Sequence, residues 1–267
     1  MAFTGLDFII NGVKSVDIGV NGCYLVKTDA SQISYHLMGS KLIIEEKVNK
    51  RNNPYFYGVE TQPIEFDLKF SLLEDKMTPE ILYDLAMIFA KDKYVPFESE
   101  DYIGRIFYII CTDLKVVTFG NYQGWIEARL RTSSSNSFSN IEISTFDLST
   151  LTVPTEIIMT NRSNVMNLKY GEYIYEPQIT IDLLDDNTSF TLTNQSNGGE
   201  VFSFTGLVAN ESLTVYNQDR RIVSSTGSPR ISKLTNKNWF KLVYGDNRIL
   251  VDKKMIIQVR SQFPLYM

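Results

Sequence analysis

The sequence predicts a mainly β protein of two domains with a single helix, and three observations carry that prediction. In IEFDLKFSL, Ile64, Phe66, Leu68, Phe70 and Leu72 alternate with Glu65, Asp67, Lys69 and Ser71, the period-2 signature of a strand with one face toward a core. Directly after it, TPEILYDLAMIFAK repeats apolar residues at helical spacing, and no second amphipathic stretch of that length follows. Most of the rest consists of short runs of β-branched and aromatic residues broken by Gly, Asn and Asp. At 267 residues, two ordinary domains are the expectation.

Taken in order, the helix is expected over about 78–91. Thr78 is placed as N-cap, Pro79 stands at the first helical position, and Ile81, Leu82, Leu85, Ile88 and Phe89 form one stripe. Strands are expected over 94–97, 105–112, 114–119 and 124–131. The stretch TSSSNSFSN, small and polar, is the sharpest shift in composition and predicts a boundary between an N-terminal domain (1–138) and a C-terminal domain (139–267). Beyond it, strands are expected over 142–147, 156–160, 178–184, 189–193, 200–204, 212–217, 221–225, 239–243, 248–251 and 255–260. The turn signals DDNT, SNGG and YGDN separate some of them, which predicts an antiparallel β-sandwich.

Residues suited to chemistry are sparse. His36 is the sole histidine, which leaves no His-based zinc site and makes any Ser/His or Cys/His arrangement depend on one residue. Cys23 and Cys111 match no metal or redox spacing and read as small hydrophobes. Asp182, Asp185 and Asp186 lack the spacing of a calcium loop and read as a solvated turn. Gly198-Gly199 fits a hairpin rather than a phosphate loop. No catalytic residue, metal site or cofactor is therefore expected. A net charge of −5 argues against tight nucleic-acid or anionic-membrane binding, and neither a sequence-specific nucleic-acid partner nor a membrane is expected. There is no apolar run long enough to span a bilayer and no signal-peptide pattern at the N-terminus, so synthesis in a cytoplasm is expected.

The segment NNPYFYGVETQPIEFDL puts Tyr55, Phe56 and Tyr57 together between a proline and a glycine. On a strand their rings alternate between two faces, and only one face has an obvious core to enter. With the helix TPEILYDLAMIFAK and the following YVPFESEDYIGRIFYIICTDLKVVTFGNYQGWIEARLRTSSS, this region resembles the N-terminal part of distal tail proteins (the Dit family) of long, non-contractile-tailed, siphovirus-type phages of Gram-positive hosts. FIINGVKSVDIGV is similar to the family's opening strand, with Gly12, Ser15 and Asp17 near its turn. YEPQITI, NGGEVFSFTGLVANESLTVYNQDRRIV and NWFKLVYGDNRILV are similar to its galectin-like sandwich. A glycine preceded by tyrosine in LVYGDNRI departs from a family pattern, and no insertion is long enough for an added carbohydrate-binding module.

The resemblance implies a non-enzymatic virion protein of the tail tip and baseplate. It implies a homo-hexameric ring joining the tail tube protein to the tail-associated hub, fibre or lysin protein, with DNA passing through the channel. A receptor-binding protein would be held by the C-terminal domains. On that reading Tyr55, Phe56 and Tyr57 belong to a chain-to-chain interface. The alternative is a lectin-like module contacting the host cell wall, with Trp239 of NKNWFKL as a glycan-stacking platform, against which stands a core or interface role for that ring. A peptidoglycan hydrolase is the third reading, with no carboxylate pair to single out among 31 Asp and Glu.

Overall fold

The computed structural model describes residues 7–19, 21–26, 39–73, 76–119, 123–167 and 169–266. The chain divides into two compact units, the second spanning Asn140–Leu265.

In the first unit, Phe8–Ile10 (β1) turns through Asn11 and Gly12, both at positive φ, into Val13–Lys14 (β2). Cys23–Leu25 (β3), Lys41–Glu46 (β4), Tyr55–Thr61 (β5) and Glu65–Leu72 (β6) follow. After the helix Pro79–Phe89 (α1) come Val95–Ser99 (β7), Arg105–Thr118 (β8), Gly124–Thr132 (β9) and Ser137–Ser139 (β10). The main sheet has the order β2-β1-β7-β8-β9-β6-β3, antiparallel at every pair, with β10 against the start of β8. It curls strongly: Phe8 on β1 meets Phe70 on β6 at 5.8 Å between ring centroids, although β7, β8 and β9 lie between those strands in the sheet.

The apolar half of the β6 alternation is buried as expected, Phe66, Leu68, Phe70 and Leu72 all facing the core together with Ile64. Helix α1 packs onto this curl through Leu85 and Phe89, with Ile81, Leu82 and Ile88 half-buried beside them. Phe89 stacks on Phe70 at 5.5 Å. The helix is shorter than the expected 78–91 because Ala90 leaves the helical region at ψ 71°. Thr78 keeps the N-cap position without a side-chain bond to the backbone. Its hydroxyl serves Glu80 instead, whose carboxyl is held below its ordinary value by its own backbone N–H and then by Thr78.

The two strands expected over 105–112 and 114–119 are one. β8 runs through without a break, and the register against β9 shifts between Cys111 and Asp113, so that Thr112 is an extra residue, a bulge. Thr112 Oγ1 donates to Arg129 O at 3.2 Å. The bulge moves the inward positions from Phe107, Ile109 and Cys111 to Leu114.

The second unit is a two-sheet antiparallel sandwich. One sheet has Glu142–Asp147 (β11), Gln178–Leu183 (β13), Ser212–Tyr216 (β16), Arg221–Ser224 (β17) and Met255–Ser261 (β19), in the order β11-β19-β13-β16-β17. The other has Thr155–Asn161 (β12), Phe190–Asn194 (β14), Glu200–Phe204 (β15) and Gly245–Val251 (β18), in the order β12-β18-β14-β15. Ile179, Ile181, Leu213, Val215 and Ile257 from the first meet Phe190, Leu192, Phe202, Phe204 and Ile249 from the second in one core.

Two sequence expectations fail here. Residues 239–243 form no strand, since only Leu242 bridges to Tyr175. Gly245, Asp246 and Asn247 of YGDN are the start of β18 rather than a turn between strands. The buried Asn247 explains that second failure. It takes Val243 N–H and Asn194 Nδ2 on its oxygen, at 2.9 Å each, and gives Nδ2 to Val243 O and Gly245 O. The bend before β18 is therefore built by one amide side chain. Among the described residues no helix is long and apolar enough to cross a membrane.

Candidate functional site

Among the described residues, β4 and β5 pair with each other and join no other sheet. The ribbon leaves the curled sheet at a tight base, where Gln62 N–H donates to Ser40 O at 2.8 Å. Gly39 is required there, since a Cβ would stand 2.0 Å from Gln62 O. Between Ile44 and Glu45 the register slips by one, leaving Tyr57 as the unpaired residue of β5, and Gly58 beside it takes φ 153°.

Nearly every ribbon residue is exposed. Tyr55, Phe56 and Tyr57 stand at 48, 65 and 66% exposure, and Leu42, Ile43, Ile44 and Val59 are exposed with them. The expectation that one face of this strand enters a core is thus corrected: in the single chain neither face does, because no second layer lies against the ribbon among the described residues. The rings are nonetheless held. The Arg51 guanidinium lies 4.1 Å over the Tyr55 ring, and Tyr57 donates to Glu46 Oε2 at 2.7 Å, which holds its phenol above the ordinary value.

The outward face of the neighbouring β6, β9 and β8 is different in kind. Glu65 pairs with Arg129 at 3.0 Å, Lys69 with Glu127 at 3.3 Å and Asp113 with Lys115 at 2.7 Å. Such exposed pairs contribute little to stability, and they leave this ladder without surplus charge.

Trp239 is half-buried against the sandwich core, with the Arg220 guanidinium 5.2 Å over its ring. Arg220 also donates to Glu176 Oε1 and to the Tyr170 hydroxyl, and Tyr170 donates to the same Glu176 oxygen at 2.6 Å. Sequence reasoning missed this cluster, since Tyr170, Glu176 and Arg220 share no spacing. It missed a second as well. Glu211, whose side chain is fully buried, accepts from Arg230 Nε at 2.6 Å and Nη2 at 3.1 Å, from the Ser224 hydroxyl and from Val208 N–H. Burial pushes its carboxyl up, but these donors outweigh burial and hold it below the ordinary carboxylate value.

Cys23 is buried, and burial followed by the Asp7 charge pushes its thiol up to about 12. Cys111 is half-buried and raised by burial too. Asp185 and Asp186 occupy a turn at positive φ, with Lys254 3.4 Å from Asp185. Among the described residues no group of His, Cys, Asp and Glu could hold a metal ion. His36 lies outside the described residues.

Two family models match the sequence: a phage tail protein N-terminal domain over residues 3–134, and a phage tail C-terminal domain over residues 138–260. The chain belongs to this family of phage tail proteins. The tail protein's fold is similar to that of the Dit protein (gp 19.1) of phage SPP1, with a TM-score of 0.67 and 10% identity over 97% of this chain and 99% of that one. That structure is described as a paradigm of the hub adsorption apparatus in phages infecting Gram-positive bacteria. Chains of the phage P2 baseplate in its activated conformation align at TM-scores of 0.49 (with Ca) and 0.47 (with Sr). The identities are 7 and 8%, each over 96% of this chain and 97% of that one. A search of curated proteins found no match. The tail protein is thus a structural component of a virion tail with a mainly β, Dit-like fold.

Proposed function

We propose that this tail protein assembles into a ring of six at the tip of the tail tube. It would join the tube protein on one side to the hub, fibre or lysin protein on the other, with DNA passing through the channel. Its C-terminal unit would carry the receptor-binding apparatus, and the protein would have no catalytic role.

The observation that carries this reading is the β4–β5 ribbon. A two-stranded hairpin is marginal in water by itself, yet this one exposes apolar side chains on both faces, Tyr55, Phe56 and Tyr57 among them. Clustered Tyr and Phe suit a subunit contact, and a neighbouring copy supplies the missing layer in a closed cyclic oligomer. A lectin built on Trp239 has no comparable support, because Arg220 already lies over that ring.

Negative-stain microscopy and light scattering test the proposal. Rings are expected from the chain alone or with tube or hub protein. Replacing Tyr55, Phe56 and Tyr57 together by serine is expected to abolish them while the second unit stays folded. A strict monomer at all concentrations, unchanged by tube and hub protein, overturns the reading.

A further inference from the structure

The sandwich treats its edges unequally. The β15 edge is covered by the loop that follows β17: Thr205 N–H donates to Lys233 O at 3.1 Å, Asn238 Nδ2 donates to Val201 O at 2.8 Å, and Phe204 bridges to Leu234. The buried Glu211–Arg230 pair anchors that loop. β11 has no such cover. It pairs only with β19, and no other strand among the described residues reaches its outer edge.

The direction of its free groups follows from one bond. Leu148 N–H donates to Met255 O at 3.0 Å, continuing the register Asp147↔Ile256. In an antiparallel ladder, paired residues alternate between facing the partner strand and facing away. Glu142, Ser144 and Phe146 therefore direct their amides to β19, while Ile143 and Thr145 direct theirs outward. Between Glu142 and Asp147 the edge carries no proline and no charge, the features that blunt exposed edges, and β11 shows no register shift against β19. Beside it, between β11 and β12, lies a slot of about 110 Å³ whose surface is mainly polar, lined by Ser144, Thr160 and Ser261 together with Phe146, Met159 and Val259. The Glu142–Arg162 pair at 2.9 Å neutralises its one end.

We propose that β11 is a strand-addition site. An extended, uncharged segment of another tail protein pairs with Ile143 and Thr145 and seats a small, uncharged polar side chain in the slot. Free backbone donors and acceptors at strand spacing are met in full only by another strand, and alternate side chains of that strand point into the slot. The absence of net charge there selects against a basic or acidic segment. The inference rests on the assignment to a tail and is independent of ring formation.

Hydrogen exchange by mass spectrometry, on the purified chain and on purified tails, tests it. The peptide spanning β11 is expected to exchange at least about tenfold more slowly in tails. Thr145→Pro removes an outward N–H without touching the ladder to β19, and is expected to abolish that slowing. Should this variant fail to fold, Ile143→Lys places a charge at the edge and is read the same way. Equal exchange in the free chain and in tails overturns the proposal. Slowing that already appears when the chain is concentrated alone also overturns it, in favour of a second copy. Absence of the chain from tails removes both this proposal and the tail reading, whereas presence with an unprotected β11 removes this one alone.

Discussion

β5 and β6 are separated by three residues, and both are rich in large apolar side chains, yet they end in opposite environments. In β6 every second residue enters the core, with Phe70 wholly enclosed between Phe8 and Phe89. In β5 the three aromatics stand in solvent. The contrast shows that apolar content does not by itself decide burial; what decides it is whether pairing places the strand in a sheet that has a second layer. β6 lies between β9 and β3 beneath α1, while β5 has β4 alone among the described residues.

Removing the most enclosed ring breaks the comparison most severely. Phe70→Ala is expected to destabilise the first unit by about 3–5 kcal/mol, read as a large drop in the midpoint of that unit's transition in calorimetry. Next is the buried carboxylate of the second unit. Glu211→Gln leaves Arg230 short of its counter-charge and is expected to cost about 3 kcal/mol, seen as a lower urea midpoint. Its pH dependence has a definite sign. Because the folded carboxyl is held below its ordinary value of 4.5, the clamp's stabilisation is fully present above that pH and is lost as pH falls through the lowered folded value. The variant is expected to lack this acid-side component. The smallest effect belongs to β5. Serine at 55, 56 and 57 together is expected to change unfolding of the isolated chain by no more than about 0.5 kcal/mol per site. A loss comparable to that of Phe70→Ala would mean the ribbon has a core partner within its own chain.

The mainly β class and the single helix were legible because they rest on local periodicity, as in the stripe Ile81, Leu82, Leu85, Ile88, Phe89. The hairpin turn at Gly198-Gly199 was legible because both glycines take positive φ. What was not legible depends on partners distant in sequence. Residues 239–243 have a strand's composition but, among the described residues, no pairing beyond the single bridge from Leu242 to Tyr175, and YGDN reads as a turn unless the amide of Asn247 is known to fold back on Val243. The candidate site divides the same way. Tyr55, Phe56 and Tyr57 stand out as residues, but their exposure follows from the isolation of β4 and β5, and a period-2 pattern looks the same in a lone ribbon and in a covered sheet. Glu211, Ser224 and Arg230 carry no signal, because their meeting is tertiary.

The bulge at Thr112 bears on how this sheet can change over time. A one-residue insertion or deletion in a regular strand turns every later side chain to the wrong face. β8 already contains one such slip and absorbs it in a single residue, with Cys111 and Leu114 both still directed inward. The strand can therefore gain or lose one residue at this point while Phe107 and Ile109 on one side of it and Leu114 on the other keep facing the core, and β9 beyond the bulge keeps Ile126 and Ala128 beside Phe70 and Leu68.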